Sequence, residues 1–498
     1  MGSAQHRTAP VVNTRSGPLR GVVEGDLTVF RGVPYAAPPV GPLRWRPARP
    51  HPGWSGILDA ASYGPGSPQT VREGDPVLGG HGSPPFDEDC LTLNVWTPGA
   101  DDARRPVLVW IHGGAFISGS GAMPQYSGRT FARNGDLVVV NLNYRLGPLG
   151  LLSRAPDDGT EHHNLWLTDQ LAALRWVQDN IAAFGGDPGN VTVAGQSAGA
   201  LSTAALAGHA GGGRPFHRAI LQSVPLAMPL ATPAEAAART AAYLEAVGAK
   251  DMDELRTAPW PRLVGATPEL LAATAQWGHW TTPFMPVLDG PTAPRRPVEN
   301  LLDGPGADID VMIGWTREES AFTFALNPAY ASTTEEQVLR RARDSFGDAA
   351  AAAYTAYAAA RPGARPIDVL VDLTTDEAFR KPTLAFAEAR AERGRPVWAY
   401  EFAFPTPAHE GRLGAPHCLD LPFVFDNFDD WSHAPFLAGM DTRVRDGLAR
   451  AVHRAWISFI RTGDPNHPGV PRWERYDRQS RTTMRFDSVI EGRADPLG

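Results

Sequence analysis

The hydrophobic pattern alternates between short apolar runs and longer stretches of helical period. Pro106-Val-Leu-Val-Trp-Ile111 and Asp136-Leu-Val-Val-Val-Asn141 are apolar without alternation, as strands buried on both faces are. Thr168 to Ala183 carries Leu171, Leu174, Val177 and Ile181 at helical spacing, and Val191-Thr-Val193 follows as a β-branched strand. Thr232-Pro-Ala-Glu235 predicts a capped helix start, with Gly248 suited to its end. Thr333 with Glu336 predicts a second capped start, and Ala349 to Arg361 reads as a solvent-facing helix. Strand-like Asp308–Ile313 and Pro396–Phe402 flank these helices, and a last long helix is predicted over about Thr442 to Ile460. Strands alternating with helices predict an α/β protein with a large, mostly parallel sheet. No repeat and no linker interrupts the chain, so 1–498 reads as a single domain, with about 1–10 and 491–498 as flexible termini.

Composition narrows the function classes. Forty-six Lys and Arg against 54 Asp and Glu give a net charge of −8, which argues against a general nucleic-acid or anionic-membrane binder. No 18-residue apolar run predicts a membrane span, and MGSAQHRTAP at the start lacks the apolar stretch of a signal peptide. Two cysteines, Cys90 and Cys418, do not make a disulfide framework, and a reducing cytoplasm fits them. His162-His163 has no third ligand at useful spacing, so no metal or other cofactor is expected.

Chemistry enters at Val191-Thr-Val-Ala-Gly-Gln-Ser-Ala-Gly-Ala-Leu-Ser202. It holds one G-x-S-x-G, centred on Ser197. Alone the pattern is a modest signal. Here a strand precedes it and the Ala/Leu-rich stretch from Ala198 to Leu206 follows, the order a nucleophile elbow requires. Upstream, the strand ending at Ile111 runs into His112-Gly113-Gly114-Ala115-Phe116. Small residues there let backbone N–H groups approach a substrate oxygen, as in an oxyanion hole. The orienting acid of such a site follows a later strand, which offers Glu318 and Glu319. Asp376 and Glu377, in what reads as a helix start, are less apt. The base comes later still. His409 and His417 lie in the loop after the strand ending at Phe402, His467 is an outsider, and mid-helix His453 reads as structural or exposed. Spacing alone leaves both pairs open.

At these residues the chain resembles the type-B carboxylesterases, the cholinesterase-like branch of the α/β-hydrolases, over roughly residues 10 to 490. Phe30-Arg-Gly-Val-Pro-Tyr-Ala-Ala-Pro-Pro-Val-Gly41, Glu88-Asp-Cys-Leu-Thr-Leu-Asn-Val-Trp96, Asp169-Gln170, Phe184-Gly-Gly-Asp-Pro188, Phe284-Met-Pro-Val-Leu-Asp-Gly290 and Arg461-Thr-Gly-Asp-Pro-Asn466 resemble that family's motifs. The resemblance implies an α/β-hydrolase fold with helical insertions forming a gorge over the site. It implies a Ser197–Glu319–His417 triad, and an oxyanion hole from the N–H groups of Gly114, Ala115 and Ala198, with Gly113 shaping the turn. It places Phe116 and Phe322 near the serine. Trp277 and Trp280 are read as walls of the acyl side, with core packing as the competing reading for every one of these aromatics.

The departures from the family pattern bear on substrate. Gln196 stands where many relatives carry Glu, which removes a negative charge from the gorge floor. Val77-Leu-Gly-Gly-His-Gly-Ser83 has no aromatic ring for a quaternary ammonium. The family's disulfide partner for Cys90 falls near Gly66-Ser67-Pro68, which lacks cysteine, so Cys90 is expected as a buried free thiol. The reading is therefore a serine carboxylesterase for neutral, hydrophobic small-molecule esters, acting as monomer or homodimer. A carbamate or aryl-amide hydrolase with the same triad is the alternative, and a non-catalytic hydrolase-fold interaction protein a distant one. A histidine base predicts that activity falls as pH drops through roughly 6–7.

Overall fold

The computed structural model describes residues 10–71, 74–80, 84–153, 162–209, 215–494 and 496. Its centre is an eleven-stranded sheet. From one edge to the other run Val22–Glu24, Leu27–Pro34, Thr92–Thr97, Val138–Leu142, Arg105–Ile111, Gly186–Gln196, Arg218–Gln222, Asp310–Thr316, Val397–Phe402, Thr483–Phe486 and Glu491–Arg493. The strands from Val138–Leu142 to Thr483–Phe486 pair in parallel, and the pairs beyond them at both edges are antiparallel. A second, three-stranded sheet holds Val11–Thr14, Gly17–Arg20 and Leu58–Asp59. The segment 491–493, expected beyond the fold, is thus the sheet's last strand.

The parallel strands are apolar on both faces because helices cover both. Val107, Val109 and Ile111 join one buried cluster while Leu108 and Trp110, on the opposite face, join another. The helix Leu165–Asn180 packs into the first cluster and Thr442–Thr462 into the second. Sequence motifs reappear here as ties between layers. Glu88 pairs with buried Arg44, and Asp169 takes Arg145 at 2.6 Å with both side chains out of water. Gln170 donates to Ser202 at 3.1 Å, joining the helix Leu165–Asn180 to the helix Ala198–Leu206.

Most predicted elements are present with ends moved by a few residues. One capping prediction is off by a position. The helix Glu335–Phe346 is capped by Thr334 with Gln337, not by Thr333 with Glu336; the Thr333 hydroxyl instead donates to the Tyr330 carbonyl. Asp376 and Glu377 do not start a helix either. They lie in a π-turn, Asp376–Arg380, between the helices Pro366–Thr375 and Lys381–Glu392. Pro382 has no N–H for the carbonyl of Ala378, and the ladder shifts there so that the Lys381 N–H reaches Asp376.

Candidate active site

The elbow is built by two glycines. The strand Gly186–Gln196 ends immediately before Ser197, whose backbone sits at φ 57° and ψ −122°, and the helix Ala198–Leu206 begins immediately after. A β-carbon on Gly195 would lie 2.4 Å from the carbonyl carbon of Gly199, and one on Gly199 would lie 2.1 Å from the carbonyl oxygen of Ile111. Only glycine lets the strand, the turn and the neighbouring strand that ends at Ile111 approach this closely. The strained serine is the part-exposed residue of a buried stretch, as an elbow demands.

The loop after Ile111 curls beside it. Gly114, Ala115 and Phe116 have φ of 108°, 53° and 60°, a run of positive values that turns successive N–H groups to one side. Such geometry costs a non-glycine residue about 1–2 kcal/mol, and the surroundings impose it. The Gly114 carbonyl accepts from the Ile117 and Ser118 amides, and the Phe116 carbonyl accepts from Gly147. The Gln69 carboxamide clasps Gly119 from both sides, donating to its carbonyl at 2.9 Å and accepting its N–H at 2.8 Å. His112 closes the loop's base. Its Nδ1 donates to the Gly113 carbonyl at 2.8 Å, and its ring stacks on Tyr144 at 4.5 Å. Burial lowers the His112 pKa to about 4, so the ring is neutral at working pH. Among the described residues, no hydrogen bond uses the N–H of Gly114 or Ala115, and the N–H of Ala198 lies in the first helical turn, where no carbonyl of the same helix can accept it. A β-carbon on Gly113 would come 3.2 Å from that of Ser197, so the loop abuts the serine.

The candidate acid follows the next strand but one, Asp310–Thr316, and the candidate base follows the strand after that, Val397–Phe402. The His417 Nδ1 lies 2.5 Å from Oε2 of Glu319, whose other oxygen accepts the Thr316 amide at 2.8 Å. Glu319 has no solvent exposure. Its neighbour Glu318 turns away to accept the Ala415 amide at 2.7 Å and to pair with Arg317 at 2.5 Å. His409 lies near the surface with Nε2 on the Pro76 carbonyl, His467 contacts the Ala451 carbonyl, and buried His453 contacts the Val424 carbonyl. Asp376 pairs with Arg380 and Glu377 with Arg341.

The far nitrogen of His417 faces Gln196. The carboxamide Nε2 lies 2.9 Å from His417 Nε2 and 3.4 Å from the Cys418 sulfur. No described residue hydrogen-bonds the Ser197 hydroxyl. Three rings enclose the imidazole: Phe379 at 5.5 Å, Trp280 at 5.6 Å and Phe322 at 5.9 Å between centroids. Trp280 is held by a hydrogen bond from its indole N–H to Ser320. Trp277 instead stacks on Tyr330 at 5.4 Å, and Phe116 is wholly buried against Trp166 at 4.8 Å.

Two residues here carry no sequence signal. Phe379 reaches the imidazole from the π-turn. Asp420 is buried beside the acid and takes a hydrogen bond from Gln222 at 2.8 Å; burial, with the nearby Glu319 charge, pushes its pKa up to about 7. Cys90 and Cys418 are both free, and Cys90 is buried beside Ser67, where the family resemblance places its missing partner. Among the described residues no cluster of His, Cys, Asp and Glu could hold a metal, and no helix is long and apolar enough to cross a membrane.

Comparisons with known proteins agree with this architecture. The model of the carboxylesterase family matches residues 8–493. A protein named phenmedipham hydrolase, from Pseudarthrobacter oxydans, is 49% identical over 94% of this chain and 93% of its own. The para-nitrobenzyl esterase of Bacillus subtilis is 35% identical over 98% and 97%. A crystal structure of a Geobacillus stearothermophilus carboxylesterase superposes with a TM-score of 0.86 at 37% identity, covering 99% of this chain and 98% of that one. With its α/β-hydrolase sheet and a family match over nearly its whole length, the chain belongs to the carboxylesterase family and is a carboxylic-ester hydrolase.

Proposed function

We propose that Ser197, Glu319 and His417 are the catalytic triad of this esterase and that its substrates are neutral, hydrophobic esters. The observation that carries the reading is the 2.5 Å contact between His417 Nδ1 and the buried Glu319 carboxylate, beside a serine on a strained elbow. Glu319 accepts a hydrogen bond from the Nδ1–H of His417, which keeps the ring proton on Nδ1 and leaves the Nε2 lone pair as the base. Ser197 Oγ bonds to the ester carbonyl carbon as its proton passes to Nε2. The carbonyl oxygen becomes an oxyanion within reach of the N–H groups of Gly114, Ala115 and Ala198. The C–O bond to the alcohol then breaks, and the alkoxide leaves with the proton held on Nε2. Water, giving its proton to Nε2, adds to the acyl carbon. The proton returns to Ser197 Oγ as the acid departs.

An uncharged Gln196 and the aromatic wall of Trp280, Phe322 and Phe379 support neutral, apolar acyl groups. Carbamates and aryl amides present the same carbonyl to the same groups. The relative named phenmedipham hydrolase favours testing phenmedipham itself. The test is a panel of nitrophenyl esters of graded chain length with phenmedipham, a simple carbamate and an anilide, run on wild type and Ser197→Ala. Ester turnover is expected to fall by at least about 10³-fold in the variant. Retention of most turnover by Ser197→Ala overturns the reading.

A further inference from the structure

Gln196 occupies the side of the base that the serine must reach. It is the last residue of the elbow strand and only 2% exposed. Three neighbours fix its carboxamide. The nitrogen faces His417 Nε2 at 2.9 Å and the Cys418 sulfur at 3.4 Å, and the oxygen packs on Gly113, where a β-carbon would lie 2.8 Å from it. The proton inventory gives the contact its direction. Glu319 takes Nδ1, so Nδ1 carries the ring's proton and Nε2 presents a lone pair. Only the amide N–H can meet that lone pair favourably; the amide oxygen there would oppose acceptor to acceptor. The remaining N–H goes to sulfur. A carboxylate of similar shape could only accept, and would favour a protonated Nε2 instead.

On the reading that Ser197 is the nucleophile and His417 its base, we propose that Gln196 is a positioning residue. Its carboxamide caps Nε2 in the free enzyme, holds the imidazole neutral and aimed at the serine, and yields Nε2 to the Ser197 hydroxyl when substrate is bound. A donor on the lone pair opposes protonation of the base, so the capped enzyme works at lower pH than the same site with glutamate at position 196. The groups facing the imidazole from the elements around it are few. Glu319 lies on Nδ1, Asp420 and the Cys418 thiol lie on its own loop, and Trp280, Phe322 and Phe379 cover it with uncharged rings. Tyr400 adjoins the two carboxyl groups, and Tyr126 and Asp75 lie near the Cys418 thiol.

The experiment compares full-length wild type, Gln196→Glu and Gln196→Met. For each, kcat/KM for a nitrophenyl ester is followed from about pH 4.5 to 9, and labelling by a fluorophosphonate probe is located by mass spectrometry. All three are expected to take one label, at Ser197. The acid limb of Gln196→Glu is expected about one unit or more above that of wild type, since an adjacent opposite charge favours the protonated base by roughly that much. Gln196→Met, which keeps the bulk and loses the donor, should move the limb by a smaller amount in the same direction. Superimposed acid limbs in three equally labelled proteins overturn the proposal and leave Gln196 as packing. A wild type that does not label at Ser197 overturns the triad reading beneath it.

Discussion

Glu318 and Glu319, adjacent in the chain, send their carboxylates to different partners: Glu319 meets the His417 imidazole, and Glu318 meets the Ala415 amide and Arg317. The two substitutions should therefore part company. Glu319→Gln is expected to lower kcat on the order of 10³–10⁴-fold, because the amide no longer fixes the imidazole tautomer. Glu318→Gln should keep kcat within about tenfold and lose about 1–3 kcal/mol of stability, from a weakened buried hydrogen bond with the Ala415 amide and a lost charge opposite Arg317. Steady-state kinetics with denaturant titrations separate them. Equal losses of kcat would contradict the assignment.

The packing at the elbow gives a second expectation. A methyl group on Gly199 collides with backbone at Ile111, which cannot rotate away as a side chain can. Gly199→Ala should lose about 3 kcal/mol of stability and, in whatever fraction folds, about 10²-fold in kcat from a displaced serine. Urea unfolding and kinetics on the folded fraction test it, and a variant matching wild type in both would show a looser elbow than described.

Two buried groups give stability opposite pH slopes. His112 stays neutral down to about 4 against an ordinary 6.5. Between those values the unfolded chain binds a proton that the folded chain refuses, so stability is lost as pH falls. Asp420 is held up to about 7 against 3.8. Between those values the folded chain keeps a proton the unfolded chain has released, so stability is lost as pH rises toward 7. Asp420→Asn removes only the second slope. Its stability relative to wild type is expected to be higher at pH 8 than at pH 4, at up to about 1.4 kcal/mol for each unit of the shift. Unfolding titrations at both pH values check this, and an equal gap at the two would refute it.

The thiols make a simpler case. Burial raises the pKa of both Cys90 and Cys418, for Cys418 with help from the charges of Asp420 and Glu319, and the thiolate is the reactive form. Native protein at neutral pH should take up no iodoacetamide in the time that unfolded protein takes up two equivalents. Intact-mass measurement gives the answer, and rapid labelling of Cys418 in folded protein would count against a protonated, half-buried thiol there.

Local patterns carried much of this architecture. Apolar runs marked the central strands, and the G-x-S-x-G marked the elbow because its glycines answer to contacts within a few residues and to one neighbouring strand. The choice between Glu318 and Glu319 was closed to spacing, since both follow the same strand and only the turn at Thr316 decides which one faces His417. Phe379 lay beyond sequence reading for another reason. It reaches the His417 imidazole through a change of helical ladder at Pro382, and nothing in its own neighbours records which residue that change turns inward. The cap at Thr334 shows the limit of motif matching at single-residue precision: Thr333 with Glu336 fits the same pattern one position early.

The sheet order has a consequence for how the chain becomes an enzyme. His417 meets Glu319 across 98 residues of sequence and Gln196 across 221, with the strand Arg218–Gln222 lying between the elbow strand and the strand that precedes Glu319. Such distant parallel pairings form late and slowly. A refolding chain can thus collapse and gain most of its helices while still inert. The return of ester turnover times the zipping of the sheet, and marks the interval in which unpaired strand edges are open to aggregation.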